Sequence, residues 1–74
     1  SLELIFSLYS LQPQYFPKNL KLSFFEESGE VLGEITASGN QDYIEQELTL
    51  EIGEAIQVEI SFNDLKVRES LIFA

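Results

Sequence analysis

The residues of this chain best equipped for chemistry are carboxylates. The stretch "LSFFEESGEVLGEI", Leu22 to Ile35, sets Glu26, Glu27, Glu30 and Glu34 around the pair Ser28-Gly29. Carboxylates this close could hold a hard cation, or serve as an acid and a base on either side of a water. Calcium loops of the EF-hand kind, however, draw on closely spaced Asp and Asn ligands, and "EESGE" has none. A tight turn accounts for the stretch without a ligand. With Ser28-Gly29 as its two central residues, Phe24 faces Gly33, Leu22 faces Ile35 and Leu20 faces Ala37. A slip of one residue sets Leu22 against Glu34 and mixes the faces. Glu27 and Glu30 then oppose each other at a solvated tip, at a cost of about 0.2–1 kcal/mol. The stretch reads as a hairpin tip, and no metal site is expected.

Other chemistries lack their parts. The 74 residues contain no Cys and no His. This removes disulfides, thiolate metal sites, the commonest general base and the commonest transition-metal ligand. A serine nucleophile without His needs an unusual base. Four Lys and Arg residues leave little to hold an oxyanion or a phosphate. The expectation is no enzyme, no catalytic residues and no cofactor.

What must position any site is a set of strands. Period-two alternation runs through the chain: Leu2, Leu4, Phe6 and Leu8; Leu20, Leu22 and Phe24; Val31, Gly33, Ile35 and Ala37. It continues with Ile44, Leu48, Leu50 and Ile52, then Ile56, Val58, Ile60 and Phe62, then Leu65, Val67, Leu71 and Phe73. No segment carries a 3.6-residue stripe. Six or seven short strands separated by turn signals predict an all-β fold, a small antiparallel β-sandwich of immunoglobulin-like or transthyretin-like kind. Residues 1–74 form one domain.

The last hairpin, turning at Asn63-Asp64, places Phe62 against Leu65, Ile60 against Val67 and Ile56 against Leu71. Glu59 lies opposite Arg68, a favourable cross-strand pair. Glu69 alone falls on the apolar face, opposite Val58, which predicts a bulge or an exposed strand end. A two-residue turn at Gly53-Glu54 would set Leu50 against Gln57. The chain is therefore expected to take a longer loop there, or to cross between sheets at Gly53.

Thirteen acidic residues against four basic ones give a formal charge of −9. This disfavours nucleic acid and anionic membranes as partners. No apolar run is long enough for a membrane-spanning helix. The absence of Cys suits a reducing compartment, so a cytoplasmic location is expected.

From Tyr15 onward the chain resembles the C-terminal region of a family of uncharacterised cyanobacterial proteins, a domain of unknown function. The resemblance rests on "YFPKNLKLSFFEESGEVLGEI", "DYIEQEL", "GEAIQVEISFNDLKV" and the closing "ESLIF". Two turns depart from the family pattern: Gln41-Asp42-Tyr43 where Asp-Asn-Tyr is usual, and Asn63-Asp64 where Gly-Asp is usual. The resemblance implies a domain forming the C-terminal part of a longer parent protein, and it implies no activity.

Interaction residues can still be named. "QPQYFPKN" is stiffened by Pro13 and Pro17; its Tyr15 and Phe16 either cap one end of the fold or form an aromatic recognition loop. Glu45, Glu47 and Glu51 form an acidic row, either a solvated face or a strip for a basic partner. The hairpin register sends Phe25 and Leu32 outward, opposite each other. Ile5 and Tyr9 share the outward parity of the first strand, so the four predict an apolar docking strip. The expected function is a non-catalytic structural or protein-interaction module. Its partner is the remainder of the parent, another protein of basic character, or a second copy in a weak homodimer. The alternative is a module binding a small ligand, a carbohydrate or a cation at the loop end.

Overall fold

The computed structural model describes residues 1–11 and 14–73; Pro13 lies outside the described residues. The alternation becomes six strands: β1 Leu2–Tyr9, β2 Lys21–Glu26, β3 Val31–Thr36, β4 Tyr43–Leu50, β5 Ala55–Phe62 and β6 Leu65–Ile72. All pairings are antiparallel, and no helix occurs among the described residues. The strands form two sheets, one of two strands in the order β1-β4 and one of four in the order β3-β2-β5-β6.

Each strand has an apolar parity, and the two sheets bury these parities together. The core comprises Phe16, Leu22, Phe24, Ala37, Ile44, Leu48, Leu50 and Ile56. Phe24 of the large sheet is fully buried, and the Phe6 ring of the small sheet lies 5.0 Å from its ring, tilted by 51°. Burying a side chain of this size contributes about 1.5–3 kcal/mol. Gly33 sits opposite Phe24 in the β2–β3 ladder. The room above its missing side chain is filled by Gln46 of β4, whose Cδ would lie 2.8 Å from an added Cβ.

The first hairpin keeps the expected register over its body, with Leu22 opposite Ile35 and Phe24 opposite Gly33. Its tip is different. The Gly29 N–H donates to the Glu26 carbonyl at 2.9 Å, so Glu27 and Ser28 are the central residues of the turn. Gly29 follows with φ +94°, a left-handed conformation that costs glycine least. Glu26 N–H then donates to Glu30 at 2.9 Å, and Phe25 pairs with Val31. One residue, Leu32, is left over between Val31 and Gly33, and this bulge restores the body register. Glu27 therefore does not face Glu30, and Leu32 does not face Phe25.

The second hairpin follows its expected register throughout, with Phe62 opposite Leu65, Ile60 opposite Val67, and Glu59 opposite Arg68. Asn63 turns it with φ 53°, which Asn tolerates better than most residues. The ladder passes Val58–Glu69 without a shift. Glu69 is simply exposed, as β6 is the outermost strand of its sheet.

At Gly53 (φ +92°) the chain does cross from the small sheet to the large one. The Gly53 N–H donates to the Phe73 carbonyl, and the Phe73 N–H donates to Glu54 at 3.2 Å. Ile52 precedes this crossing in the loop and is 70% exposed, contrary to its place in the sequence alternation, because β4 ends at Leu50.

Candidate functional site

The carboxylates at the first hairpin tip point away from the core. The Ser28 hydroxyl donates to Glu26 Oε2 at 3.3 Å and accepts from the Glu30 N–H at 3.4 Å, so side chain and turn satisfy each other locally. Among the described residues, no three acidic side chains converge as metal ligands. The depressions beside this tip and at the β3–β4 corner, about 510 and 420 Å³, are wide-mouthed rather than enclosed.

The anticipated strip of Ile5, Tyr9, Phe25 and Leu32 does not form. Ile5 and Tyr9 are exposed on the outer face of the small sheet. Phe25 is on the outer face of the large sheet, on the opposite side of the molecule. Its ring is covered by the Arg68 guanidinium at 5.0 Å, an arrangement with cation–π attraction. The bulge turns Leu32 toward the core, against which it packs; Val31 is exposed in its stead. The aromatic loop also divides. Phe16 is buried and Tyr15 is 62% exposed, with the Phe16 N–H held by the Gln41 carbonyl at 2.8 Å. Phe16 thus caps the core, and only Tyr15 remains free to be touched.

The outer face of the large sheet carries a polar network. Arg68 donates to Gln57 Oε1 at 2.9 Å and to Glu59 Oε1 at 3.0 Å, and Lys21 lies 3.7 Å from Glu34. Glu59 is only 8% exposed, so Arg68 neutralises a carboxylate that few waters reach.

Two other surfaces are not satisfied in this way. One is the outer face of the small sheet, where Tyr9 pairs with Tyr43 and their rings stack at 5.9 Å. Further along the same face lie Glu45, Glu47, Ile5 and, at the far end, Glu3, all exposed. Neither β1 nor β4 contains a Lys or Arg. The acidic row is therefore part of a larger acidic and aromatic face, which the sequence reading did not assemble because it left the β1–β4 pairing open. Glu51, the third residue of the expected acidic row, lies past the end of β4.

The other surface is the inner face of the second hairpin. A two-stranded sheet is too narrow to cover a four-stranded one. The small sheet comes closest to the large one where β4 passes β3, and Phe6 of β1 reaches Phe24 of β2 and Phe73 past the end of β6. The start of β6 stays uncovered: Leu65 is 72% and Val67 60% exposed, although both have the inward parity. Ile60 and Phe62 beside them are half-buried.

Comparison with known families matches residues 1–72 to a protein of unknown function, DUF1822. The chain belongs to that family. The match takes in β1 to β6 and both uncovered surfaces, so the geometry just described falls within the family's domain. No curated protein and no solved structure matches the chain.

Proposed function

We propose that this domain is a non-catalytic protein-interaction module: an immunoglobulin-like β-sandwich that forms the C-terminal part of a longer cyanobacterial protein and works in the cytoplasm. The observation that carries the reading is the uncovered inner face of the β5–β6 hairpin. Leu65 and Val67 have the parity of core residues and the exposure of surface residues. They continue an apolar face that is buried further along β5 at Ile56, with the exposed Glu69 interrupting it on β6. Contiguous apolar surface on a folded domain marks a place where another surface docks. The dispersed carboxylates and the lack of His and Cys support a role without catalysis. The wide-mouthed depressions give the small-ligand alternative less support, because ligand sites enclose most of what they bind.

The test is site-specific photo-crosslinking in the producing cell, with a benzophenone side chain at position 65 or 67 and a control at Glu30, on the exposed tip. Crosslinks to a defined protein from 65 and 67 but not from 30, lost when Leu65→Ser and Val67→Thr are introduced at the partner positions, support the reading. Equal crosslinking from all three positions, or none from 65 and 67, overturns it.

A further inference from the structure

The outermost strands of the sheets differ in how they are protected against pairing. Such edges are normally guarded by charges (Lys above all), by inward-pointing charges, by Pro, by bulges or by shortness. β6 carries Lys66 and Arg68 on one face and Glu69 on the other. β3 is six residues long and bulged at Leu32. β4 carries Glu45 and Glu47 and passes close to β3. β1 has none of these devices. It is eight residues long, contains no Lys, Arg, Pro or Gly and a single charge, Glu3. It also pairs with β4 in unbroken register from Leu2 to Tyr9. Its other side has no strand among the described residues.

The position of this open side matters. β4 is the strand that passes β3, at one margin of the large sheet. The open side of β1 therefore faces the other margin, toward β6. The Phe6 contacts with Phe24 and Phe73 place β1 over the middle of the large sheet and the far end of β6. A strand added to β1 would lie over the uncovered part of β5 and β6, where Leu65 and Val67 are exposed.

We infer that β1 accepts an extended segment of a partner protein by strand addition, and that this segment alternates apolar and basic residues. The inference deepens the interaction reading above and rests on it. Main-chain hydrogen bonds to β1 supply the pairing. On the inner face, alternate apolar side chains of the segment cover Leu65 and Val67. On the outer face, the other side chains lie beside Glu3, Glu45 and Glu47 and the stacked Tyr9–Tyr43 rings. Three carboxylates and two aromatic faces, with no cation in either strand, match Lys or Arg there. A second copy fits less well. Each copy has a charge of −9. The one strand of this chain with alternating basic residues, β6, would also carry Glu69 onto the apolar seam.

The probe is a capped synthetic peptide alternating lysine and valine over the length of β1. Its controls are the glutamate–valine counterpart and a block peptide of the same lysine and valine composition. The ¹⁵N-labelled chain is titrated and followed by amide hydrogen exchange, methyl shifts and sedimentation. Slowed exchange in residues 2–9, shifts of the Leu65 and Val67 methyls, and binding that weakens with salt are the expected result with the alternating basic peptide alone. Replacing Glu3, Glu45 and Glu47 by Gln, all exposed, should weaken binding about tenfold, the summed effect of three exposed ion pairs. Unchanged exchange in β1 at millimolar peptide overturns the inference, as does equal binding of the acidic or block peptide, or a dimer of the chain itself closing on β1. If crosslinks from 65 and 67 persist while β1 stays unprotected, strand addition fails and the interaction reading stands. If β1 pairs with the peptide while 65 and 67 never crosslink, the interaction reading fails.

Discussion

Gly33→Ala tests how the two sheets meet. Gly33 is not in the left-handed region of φ, so its backbone admits an alanine. Replacing a strand glycine by alanine then stabilises by about 0.4–1 kcal/mol through the unfolded chain. Space decides otherwise. The new Cβ would lie 2.8 Å from Gln46 Cδ, 3.0 Å from Nε2 and 3.2 Å from Cγ, so the Gln46 side chain must move. Gln46 is half-buried, and its amide donates to the Glu47 carbonyl at 2.9 Å. The nearest clashing atoms are the far end of a flexible side chain, which can swing aside, so the overpacking costs the low end of its usual range, about 1 kcal/mol. For Gly33→Ala this cost offsets the usual gain, and the substitution is expected to be close to neutral. In a Gln46→Ala background the obstacle is gone, and the same substitution becomes stabilising. Urea melts of the four proteins of this double-mutant cycle should give a coupling of about 1 kcal/mol. Additivity to within about 0.3–0.5 kcal/mol would refute the claim that β4 packs its Gln46 into the gap left by Gly33.

Phe24→Ala empties the centre of the core; a loss of about 3–5 kcal/mol, a large part of the roughly 4–11 kcal/mol available to a domain of this size, should show as a melt near room temperature or no cooperative melt. Gly29→Ala should cost about 1 kcal/mol from its left-handed φ, and Gly29→Asn less, as read by thermal melts; equal stability of all three proteins would reject the turn geometry. Arg68→Met keeps an apolar cover on Phe25 but leaves Glu59 without its 3.0 Å donor. A loss of about 1–3 kcal/mol in urea melts is expected, with Arg68→Lys restoring only part, since one ammonium lacks the fork that reaches both Gln57 and Glu59. Leu65→Ser with Val67→Thr should leave stability within about 0.5 kcal/mol, which calorimetry can check; a large loss would place both side chains in the core.

Much of the fold was legible because strand alternation reports directly on faces. The pairing of Ile60 with Val67 and of Glu59 with Arg68 follows from matching parities around Asn63-Asp64. The mismatch that a tight turn at Gly53 would create pointed to a longer loop or a crossing, and the sheet assignment decides for the crossing. The expected docking strip fails twice: β1 and β2 lie in different sheets, which parts Ile5 and Tyr9 from Phe25, and Leu32 turns inward at the bulge. A two-residue turn and a three-residue turn followed by a bulge give the same register at Phe24–Gly33 but opposite directions for Leu32. Parity alone cannot tell them apart. The split of Tyr15 from Phe16 was equally out of reach, since loop residues have no period.

By itself the sequence determined the all-β character with six or seven strands, the inner parity of the strands apart from the start of β3, both hairpin bodies and the acidic character of β4, because each depends on residues close in the chain. Only the tertiary structure decided which strands share a sheet. Placing β1 beside β4, and β2 beside β5, depends on contacts between residues remote in sequence, to which local alternation is blind. That assignment makes one sheet two strands wide and the other four. It separates Ile5 and Tyr9 from Phe25, brings Tyr9 onto Tyr43, and leaves Leu65 and Val67 uncovered, because a narrow sheet cannot shield the full face of a wide one.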